Sequence, residues 1–215
     1  MTTDIDTLTA RLARTLDSLD GDRASVQLLQ PLLRLLARGE PVSIEALAAA
    51  TGHTVDKVRE TLAKQPDTEY DAVGRIIGYG VTMKPTPHRF EVGGRTLYTW
   101  CALDTLVFPA VIGVPADVTS PCRATGEPVH LTVEPDHITG LEPSAAVISL
   151  VTPDQCTSVR TAFCDQVHFF TSRDTATEWL SDHPGGTVMD VRDAFTVGQR
   201  LIQPPLGGAE ESACC

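Results

Sequence analysis

The sequence predicts an α+β protein in which a helical N-terminal part precedes a mixed α/β domain with short, mainly antiparallel strands. Leucines at helical spacing dominate the first part of the chain, whereas glycine, proline, threonine and β-branched runs become frequent after residue 100. The chain has 215 residues, which is enough for one large domain or two small ones. With 42% hydrophobic and 21% charged residues it has a globular composition, which excludes a mostly disordered chain.

Two leucine-rich helices are predicted first. We expect Thr7 to cap the first of them, since a hydroxyl can accept a hydrogen bond from the free N–H groups of a first turn. The second is predicted over 24–38, with Gly39 as its end and Pro31 bending it or resetting its start. The face of the first helix consists of Leu8, Leu12, Leu16 and Leu19. The inward residues of the second are Leu28, Leu29, Leu32, Leu35 and Leu36.

A helix-turn-helix pattern follows. Ser43 and Thr54 can each cap a short helix, and Gly52 provides the turn between the two. Two runs, 74–83 and 88–100, then indicate strands, and a Gly-Gly pair inside the second run indicates a hairpin turn. Helices followed by a β wing predict a winged-helix-like domain.

The charge of this part argues against DNA binding. Residues 1–70 contain 8 basic and 11 acidic side chains, and the candidate recognition helix, 55–62, has as many acids as bases. A protein that reads a DNA groove needs clustered positive charge. The whole chain has a net charge of −11, from 17 Lys and Arg against 28 Asp and Glu, which makes it a poor phosphate binder. We therefore predict a structural N-terminal domain and no nucleic-acid partner.

The second part of the chain predicts short strands covered by helices. Its β-branched runs, 129–133, 145–151 and 163–171, alternate with turn signals. Helices are expected near 175–181 and 191–201.

The predicted domains are a winged-helix-like structural domain at 1–83, a mixed α/β domain at 84–203, and a flexible tail with a cysteine pair at 204–215. The N-terminus lacks the pattern of a secretory signal, and no stretch approaches the roughly 18 to 20 apolar residues that span a bilayer. We therefore expect a soluble, cytoplasmic protein without a membrane partner, and its thiols should stay reduced.

Six cysteines are the unusual feature of the composition. They are too few for a disulfide scaffold, and the absence of CxxC spacing argues against a structural zinc knuckle or a thioredoxin-like motif. The six are Cys101, Cys122, Cys156, Cys164, Cys214 and Cys215.

Cys101 and Asp104 lie three positions apart in an apolar segment, so on a helical turn they share a face. Because desolvation disfavours the anion, both groups would have raised pKa values and could exchange a proton. The alternative is an aspartate that caps a helix beside a packed cysteine. A second segment, 163–170, is predicted as a strand with Cys164 and His168 on one face. Its alternative is a core strand with one small buried thiol.

Two runs in these segments are specific in their order and separation: Trp-Cys-Ala-Leu-Asp-Thr at 100–105, and Cys-x-x-Val-His-Phe-Phe at 164–170. With them the sequence resembles the alkylmercury (organomercurial) lyase family, from about Leu28 to Arg200. Further matching segments are 28–34, 68–71, 76–80 and 122–126. The resemblance implies a winged-helix-like part joined to an α+β catalytic part. It also implies cleavage of the carbon–mercury bond of alkyl- and arylmercury compounds, which gives a hydrocarbon and Hg(II).

The resemblance also implies roles for single residues. The family's two catalytic cysteines match Cys101 and Cys164, and its catalytic acid matches Asp104; the same three would hold the substrate and product mercury. The cysteine that matches Cys122 is regarded as structural. Asp165 stands where some members have a further cysteine, so an auxiliary thiol is absent there.

The expected chemistry follows from the softness of mercury, which favours thiolate ligands. Cys101 would capture the organomercurial, Cys164 would bind second, and Asp104 would pass a proton to the leaving carbon. No organic cofactor is expected, since no phosphate-cradling loop is visible. The expected partners are the organomercurial substrate, small-molecule thiols that release the product, and mercuric reductase as an acceptor of Hg(II).

Two other functions stay open at this point. One is a winged-helix soft-metal sensor that regulates transcription, and the other is a mercury-binding protein without catalysis. The role of Cys214 and Cys215 is also open, between a relay for Hg(II) and an uninvolved terminus.

Overall fold

The computed structural model describes residues 5–20, 23–152 and 158–202, without the side chains of residues 15–20 and 23–26. The helices in these ranges are α1 (Ile5–Asp20), α2 (Arg23–Leu36), α3 (Ile44–Thr51), α4 (Val55–Leu62), α5 (Ala102–Ile112), α6 (Val159–Ala162), α7 (Thr177–Asp182) and α8 (Val191–Ile202). The strands are β1 (Glu69–Tyr70), β2 (Ile76–Tyr79), β3 (Val81–Thr82), β4 (His88–Val92), β5 (Arg95–Thr99), β6 (Ala116–Pro121), β7 (Pro128–Val133), β8 (Ile138–Glu142), β9 (Val147–Leu150), β10 (Phe169–Phe170) and β11 (Thr187–Asp190). This order of helices followed by antiparallel strands and further helices confirms the predicted α+β class.

The helix-turn-helix elements form as predicted. The Ser43 hydroxyl accepts the Ala46 N–H at 3.0 Å at the start of α3, and the Thr54 hydroxyl accepts the Lys57 N–H at 3.2 Å at the start of α4. Gly52 ends α3 in the left-handed conformation, at φ +71°. These caps are local, which explains why they could be predicted from sequence.

The cap of α1 was predicted wrongly, and one of the two predicted effects of Pro31 on α2 is excluded. Helix α1 begins at Ile5, so Thr7 lies inside it and does not cap it; Asp6 supplies a negative charge to the first turn instead. Helix α2 begins before Pro31 and continues through it, so the proline does not reset its start, and the bend at Pro31 stays a prediction. The buried Leu28 and Leu32 on either side offset the hydrogen bond that the proline removes.

Most of the predicted inward leucines are buried. Leu8 and Leu12 in α1 are buried, whereas the side chains of Leu16 and Leu19 fall outside the described part of the chain. In α2, Leu33 is buried although it is not among the predicted inward residues, and Leu29 and Leu35 are only partly buried against the core. The buried leucines of α2 are Leu28, Leu32, Leu33 and Leu36.

The strands form two antiparallel sheets. The larger has eight strands in the order β1-β2-β3-β5-β4-β6-β7-β8, and the smaller has the order β10-β9-β11. Strand β3 pairs with β5, so the wing strands continue directly into the sheet of the second part. Gly93 and Gly94, both with positive φ, make the predicted hairpin turn between β4 and β5. The domain division at residue 83 stays a prediction.

Helix α5 packs against α2, α8 and the larger sheet, and most of its residues are buried. It crosses α8 closely at Gly198, where an added Cβ would lie 2.6 Å from Val107 Cγ2. The N-terminus of α5 therefore has a fixed position relative to both the sheet and α8. Among the described helices, none is long and apolar enough to cross a membrane.

Gly80, in the turn between β2 and β3, supports the start of α5. Its carbonyl accepts the Trp100 N–H at 2.9 Å, its φ is +73°, and an added Cβ would lie 2.5 Å from Phe108 Cζ. We expect Gly80→Ala to lower the free energy of unfolding by about 2–4 kcal/mol, because backbone strain and overpacking add. Gly74→Ala is the matched control, since Gly74 has φ +82° with nothing within 4 Å of an added Cβ. Urea unfolding of both variants should show a distinctly smaller loss for Gly74→Ala; equal losses would contradict the packing argument.

Candidate active site

Cys101 occupies the position directly before helix α5. Its backbone is extended, at φ −143° and ψ 171°, and its N–H donates to Asp104 Oδ2 at 3.1 Å. Asp104 is the third residue of the helix and so has the position of the carboxylate in a capping box. The three-residue spacing therefore serves both interpretations made from sequence: the aspartate caps the helix, and it also lies beside the thiol.

Cys164 lies on a 3-10 turn (Cys164–Gln166), which corrects the predicted strand over 163–171. Only Phe169–Phe170 forms a strand there. The Val167 N–H donates to the Cys164 carbonyl at 3.1 Å, and the Val167 carbonyl accepts the Ala102 N–H at 3.1 Å. Because these groups are bonded within the turn and to helix α5, they are not free to form a sheet ladder. The bond to Ala102 also brings the Cys164 turn to the helix end that carries Cys101.

The three residues predicted for the site come together. A ligand atom of each of Cys101, Asp104 and Cys164 lies within 4.8 Å of those of the other two. Cys101 is fully buried, Cys164 is 4% exposed, and Asp104 is partly buried. Two thiols and a carboxyl at this separation can bind one soft metal ion between the sulfurs and leave an oxygen next to it.

Burial changes the acidity of all three groups. Desolvation raises the pKa of Asp104 to about 7, although hydrogen bonds from Cys101 and Trp100 act in the opposite direction. Burial, a hydrogen bond with Cys164 and the charge of Asp104 raise the pKa of Cys101 well above its ordinary value. The hydrogen bond from Cys101 lowers the pKa of Cys164, but burial and nearby carboxylates outweigh it, so the net shift is upward. Near neutral pH the thiols therefore keep their protons, and Asp104 can both accept and donate one.

Cys122 is the one other cysteine among the described residues, and it is not part of this cluster. Cys122 is buried with a free thiol, and the Thr171 hydroxyl donates to its sulfur at 3.7 Å. Burial acts to raise the pKa of Cys122, but hydrogen bonds from Thr125 and from nearby backbone groups lower it to about 6. Its structural role stays a prediction. Cys156, Cys214 and Cys215 lie outside the described residues.

His168 does not share a strand face with Cys164, because the strand begins only after it. Its N–H donates to the Ser149 hydroxyl at 2.9 Å, and burial, followed by the charge of Arg123, lowers its pKa to about 4. It is therefore neutral near pH 7.

Arg160 and Glu69 were not predicted near the site, whereas Trp100 was expected beside Cys101. The Arg160 guanidinium lies 5.2 Å from the centre of the Trp100 ring and forms an ion pair with Glu69, which is buried. Trp100 and Glu69 fall inside the segments that carry the family resemblance, but nothing local in the sequence links them to Arg160.

A buried pair of thiols beside a carboxyl with a pKa of about 7 is a site that can bind a soft metal ion and transfer a proton. Residues 81–203 match the family model described as alkylmercury lyase, and residues 7–80 match that of the helix-turn-helix domain of alkylmercury lyase. The chain belongs to the alkylmercury lyase family, as its resemblance predicts.

Curated relatives and a solved structure agree with this assignment. An alkylmercury lyase of Streptomyces lividans is 58% identical over 188 residues, which cover 87% of each chain. One of Bacillus cereus is 50% identical over 94% of this chain and 92% of its own, and one of Pseudomonas putida is 46% identical over 94% and 95%. The crystal structure of the mercury-bound form of MerB2 superposes with a TM-score of 0.76 at 27% identity, and covers 90% of this chain and all of that one.

Proposed function

We propose that the protein is an organomercurial lyase that cleaves the carbon–mercury bond of alkyl- and arylmercury compounds to a hydrocarbon and Hg(II). Cys101 and Cys164 bind mercury, and Asp104 moves the protons. The observation that carries this proposal is the cluster of two buried sulfurs and a carboxylate oxygen, all within 4.8 Å of one another. Membership of the alkylmercury lyase family supports it.

In the first step Cys101 captures the organomercurial. Asp104, with a pKa of about 7, takes the proton of the Cys101 thiol, and the thiolate forms an S–Hg bond as it displaces the ligand on which mercury arrived. That ligand leaves with the proton, so Asp104 is again a carboxylate. The carbon–mercury bond is intact at this stage, because one thiolate alone does not make the carbon basic enough to take a proton.

In the second step Cys164 binds the same mercury. Its proton passes to Asp104, and the second thiolate pushes electron density through mercury onto the carbon. Asp104 then protonates the carbon as the carbon–mercury bond breaks, which releases the hydrocarbon. A positioned general acid contributes about 10²–10⁴-fold to such a step. Hg(II) stays bridged between the two sulfurs.

Product release requires thiols from outside the site. Small-molecule thiols, or mercuric reductase as an acceptor, take the Hg(II) by exchange and return a proton to each cysteine. The chain's own thiols and carboxyl supply every bond and proton of the cleavage, so we propose that no organic cofactor takes part. The cysteine pair near the end of the chain is a candidate relay for Hg(II), and removal of Cys214 and Cys215 should slow the handover to a dithiol if it acts as one.

Turnover in excess thiol tests the proposed function directly. We expect the protein to release many equivalents of hydrocarbon from an arylmercury compound, and Cys101→Ala to release hydrocarbon only at the uncatalysed rate. Cys122→Ala is the matched control, because it removes a buried thiol that lies outside the cluster. A pure mercury-binding protein or a metal sensor would release no hydrocarbon, and a Cys101→Ala variant with normal turnover would refute the role of that thiol.

A further inference from the structure

The segment that carries Cys164 has little structure of its own to hold it. Helix α6 has four residues and the turn after it has three, and the hydrogen bonds within the segment join residues only three or four positions apart, so they do not fix the segment relative to Cys101. Cys164 must nevertheless reach the mercury that Cys101 holds. The precision of this approach must therefore come from contacts with other parts of the molecule, and the bond from the Ala102 N–H to the Val167 carbonyl is one of them.

We propose that Arg160 is a positioning residue for the second thiol, and that Glu69 holds Arg160 in place. This inference rests on the proposed function, because it concerns the approach of Cys164 to mercury on Cys101. Arg160 lies in α6, four positions before Cys164, and its guanidinium lies 5.2 Å from the centre of the Trp100 ring. Trp100 directly precedes Cys101. One side chain thus connects the two segments that carry the reactive sulfurs.

Glu69 fixes the guanidinium from its other side. The Glu69 side chain is only 6% exposed, and its Oε1 forms an ion pair with Arg160 Nη1. Its Oε2 accepts the Thr82 hydroxyl and faces Lys84 Nζ at 3.9 Å. A buried carboxylate that loses its partner is strongly unfavourable. The ion pair therefore keeps the guanidinium over the Trp100 ring.

Asp67, two residues before Glu69, forms hydrogen bonds with the start of the segment that carries Cys164. Its Oδ1 accepts the Ser158 hydroxyl at 2.6 Å, and its Oδ2 accepts the Arg160 N–H at 3.1 Å. The stretch 67–69 thus holds both the backbone and the side chain of the segment that leads to Cys164. The stretch 67–69, which follows the last N-terminal helix α4 and leads into β1, thus contributes to the chemistry without contacting mercury.

The test separates capture of the organomercurial from release of the hydrocarbon. In Arg160→Met we expect Cys101 to capture the organomercurial at the normal rate, and hydrocarbon release in a single turnover to fall about 10²-fold, the effect of a displacement of about 1 Å. Arg160→Lys keeps the charge but not the planar group that stacks on Trp100. Its rate of hydrocarbon release should lie between that of the unchanged protein and that of Arg160→Met. The control is Arg59→Met, whose partner Glu45 is exposed, and which should change neither step.

A double variant distinguishes positioning from stability alone. Arg160→Met removes the ion pair at Glu69 Oε1 and leaves this buried carboxylate with only the Thr82 hydroxyl and the more distant Lys84, both at Oε2. Glu69→Gln combined with Arg160→Met removes both charges of the ion pair. We expect the double variant to regain most of the lost Tm but not the rate of hydrocarbon release. Recovery of both together, or normal release in Arg160→Met, would overturn the proposal. If Arg160→Met does not fold, the double variant alone decides between these outcomes.

Hydrocarbon release by Cys164→Ser, compared with release by the Arg160 variants, separates the positioning role of Arg160 from the proposed function. If Cys164→Ser keeps normal hydrocarbon release, the second thiol is not needed and the proposed function itself is wrong. If Cys164→Ser stops release while the Arg160 variants release hydrocarbon normally, only the positioning role of Arg160 is wrong.

Discussion

Replacement of Cys164 by serine should stop hydrocarbon release and leave one organomercurial group bound to Cys101. A serine hydroxyl is a hard ligand that does not ionise near neutral pH, so it cannot push electron density onto mercury. The carbon then remains too weakly basic to accept the proton from Asp104. We expect release to fall to the uncatalysed rate, a loss on the order of 10³-fold or more, as for removal of a reacting group in other enzymes.

Intact-protein mass spectrometry after one equivalent of an arylmercury compound measures this result. Cys164→Ser should gain the mass of the aryl–mercury group, whereas the unchanged protein should gain the mass of mercury alone. Cys122→Ser serves as the control for loss of a buried thiol and should behave as the unchanged protein. A mass gain of mercury alone in Cys164→Ser would mean that one thiol suffices for cleavage.

Replacement of Asp104 by asparagine should strongly slow turnover and, at pH 8, increase stability. Loss of the general acid should lower the rate of hydrocarbon release about 10²–10⁴-fold. Burial raises the pKa of this carboxyl to about 7 in the folded protein, against an ordinary value near 3.8. Between these pH values the folded state binds more protons than the unfolded state, so the unchanged protein loses stability as pH rises.

The size and pH range of this effect can be measured. Asparagine has no such titration and can still accept the hydrogen bond from the Cys101 N–H. The difference in the free energy of unfolding between Asp104→Asn and the unchanged protein should therefore grow by on the order of 2 kcal/mol from pH 4 to pH 8 and stay constant above that, with the partial exposure of Asp104 taken into account. Urea unfolding across this range gives the curve.

A difference that does not change with pH would contradict a raised pKa for Asp104. The activity of the unchanged protein provides a second, independent readout. Because capture needs the Asp104 carboxylate, kcat/KM should rise with pH through about 7. If kcat/KM does not rise with pH through about 7, Asp104 is not the proton acceptor.

The parts of the fold that could be predicted from sequence depend on neighbouring residues. The hydroxyls of Ser43 and Thr54 accept from N–H groups three positions later, and the Cys101 N–H donates across the same spacing to the Asp104 side chain. Spacing alone therefore indicated which residues meet. Here the capping and the proton-transfer interpretations turned out to describe one geometry, which spacing could not show.

The Cys164 turn could not be predicted in this way. The alternating apolar residues around it are typical of a strand, but its backbone is fixed by a bond from Ala102, far away in the sequence. The same is true of Arg160 and Glu69, which are 91 positions apart. The pairing of Cys164 with Cys101 was implied by the family resemblance and not by any local pattern.

The capping arrangement at the start of helix α5 is a local motif, so most of the site could be built at the start of another helix. A cysteine before the first turn and an aspartate at the third helical position place two of the three reactive groups within four residues, by helix geometry alone. A protein designer could transplant this short motif to the buried end of another helix, and would then need only one distant segment to deliver the second sulfur. The difficult part of such a design is the support for that segment, since no local rule of helix formation provides it.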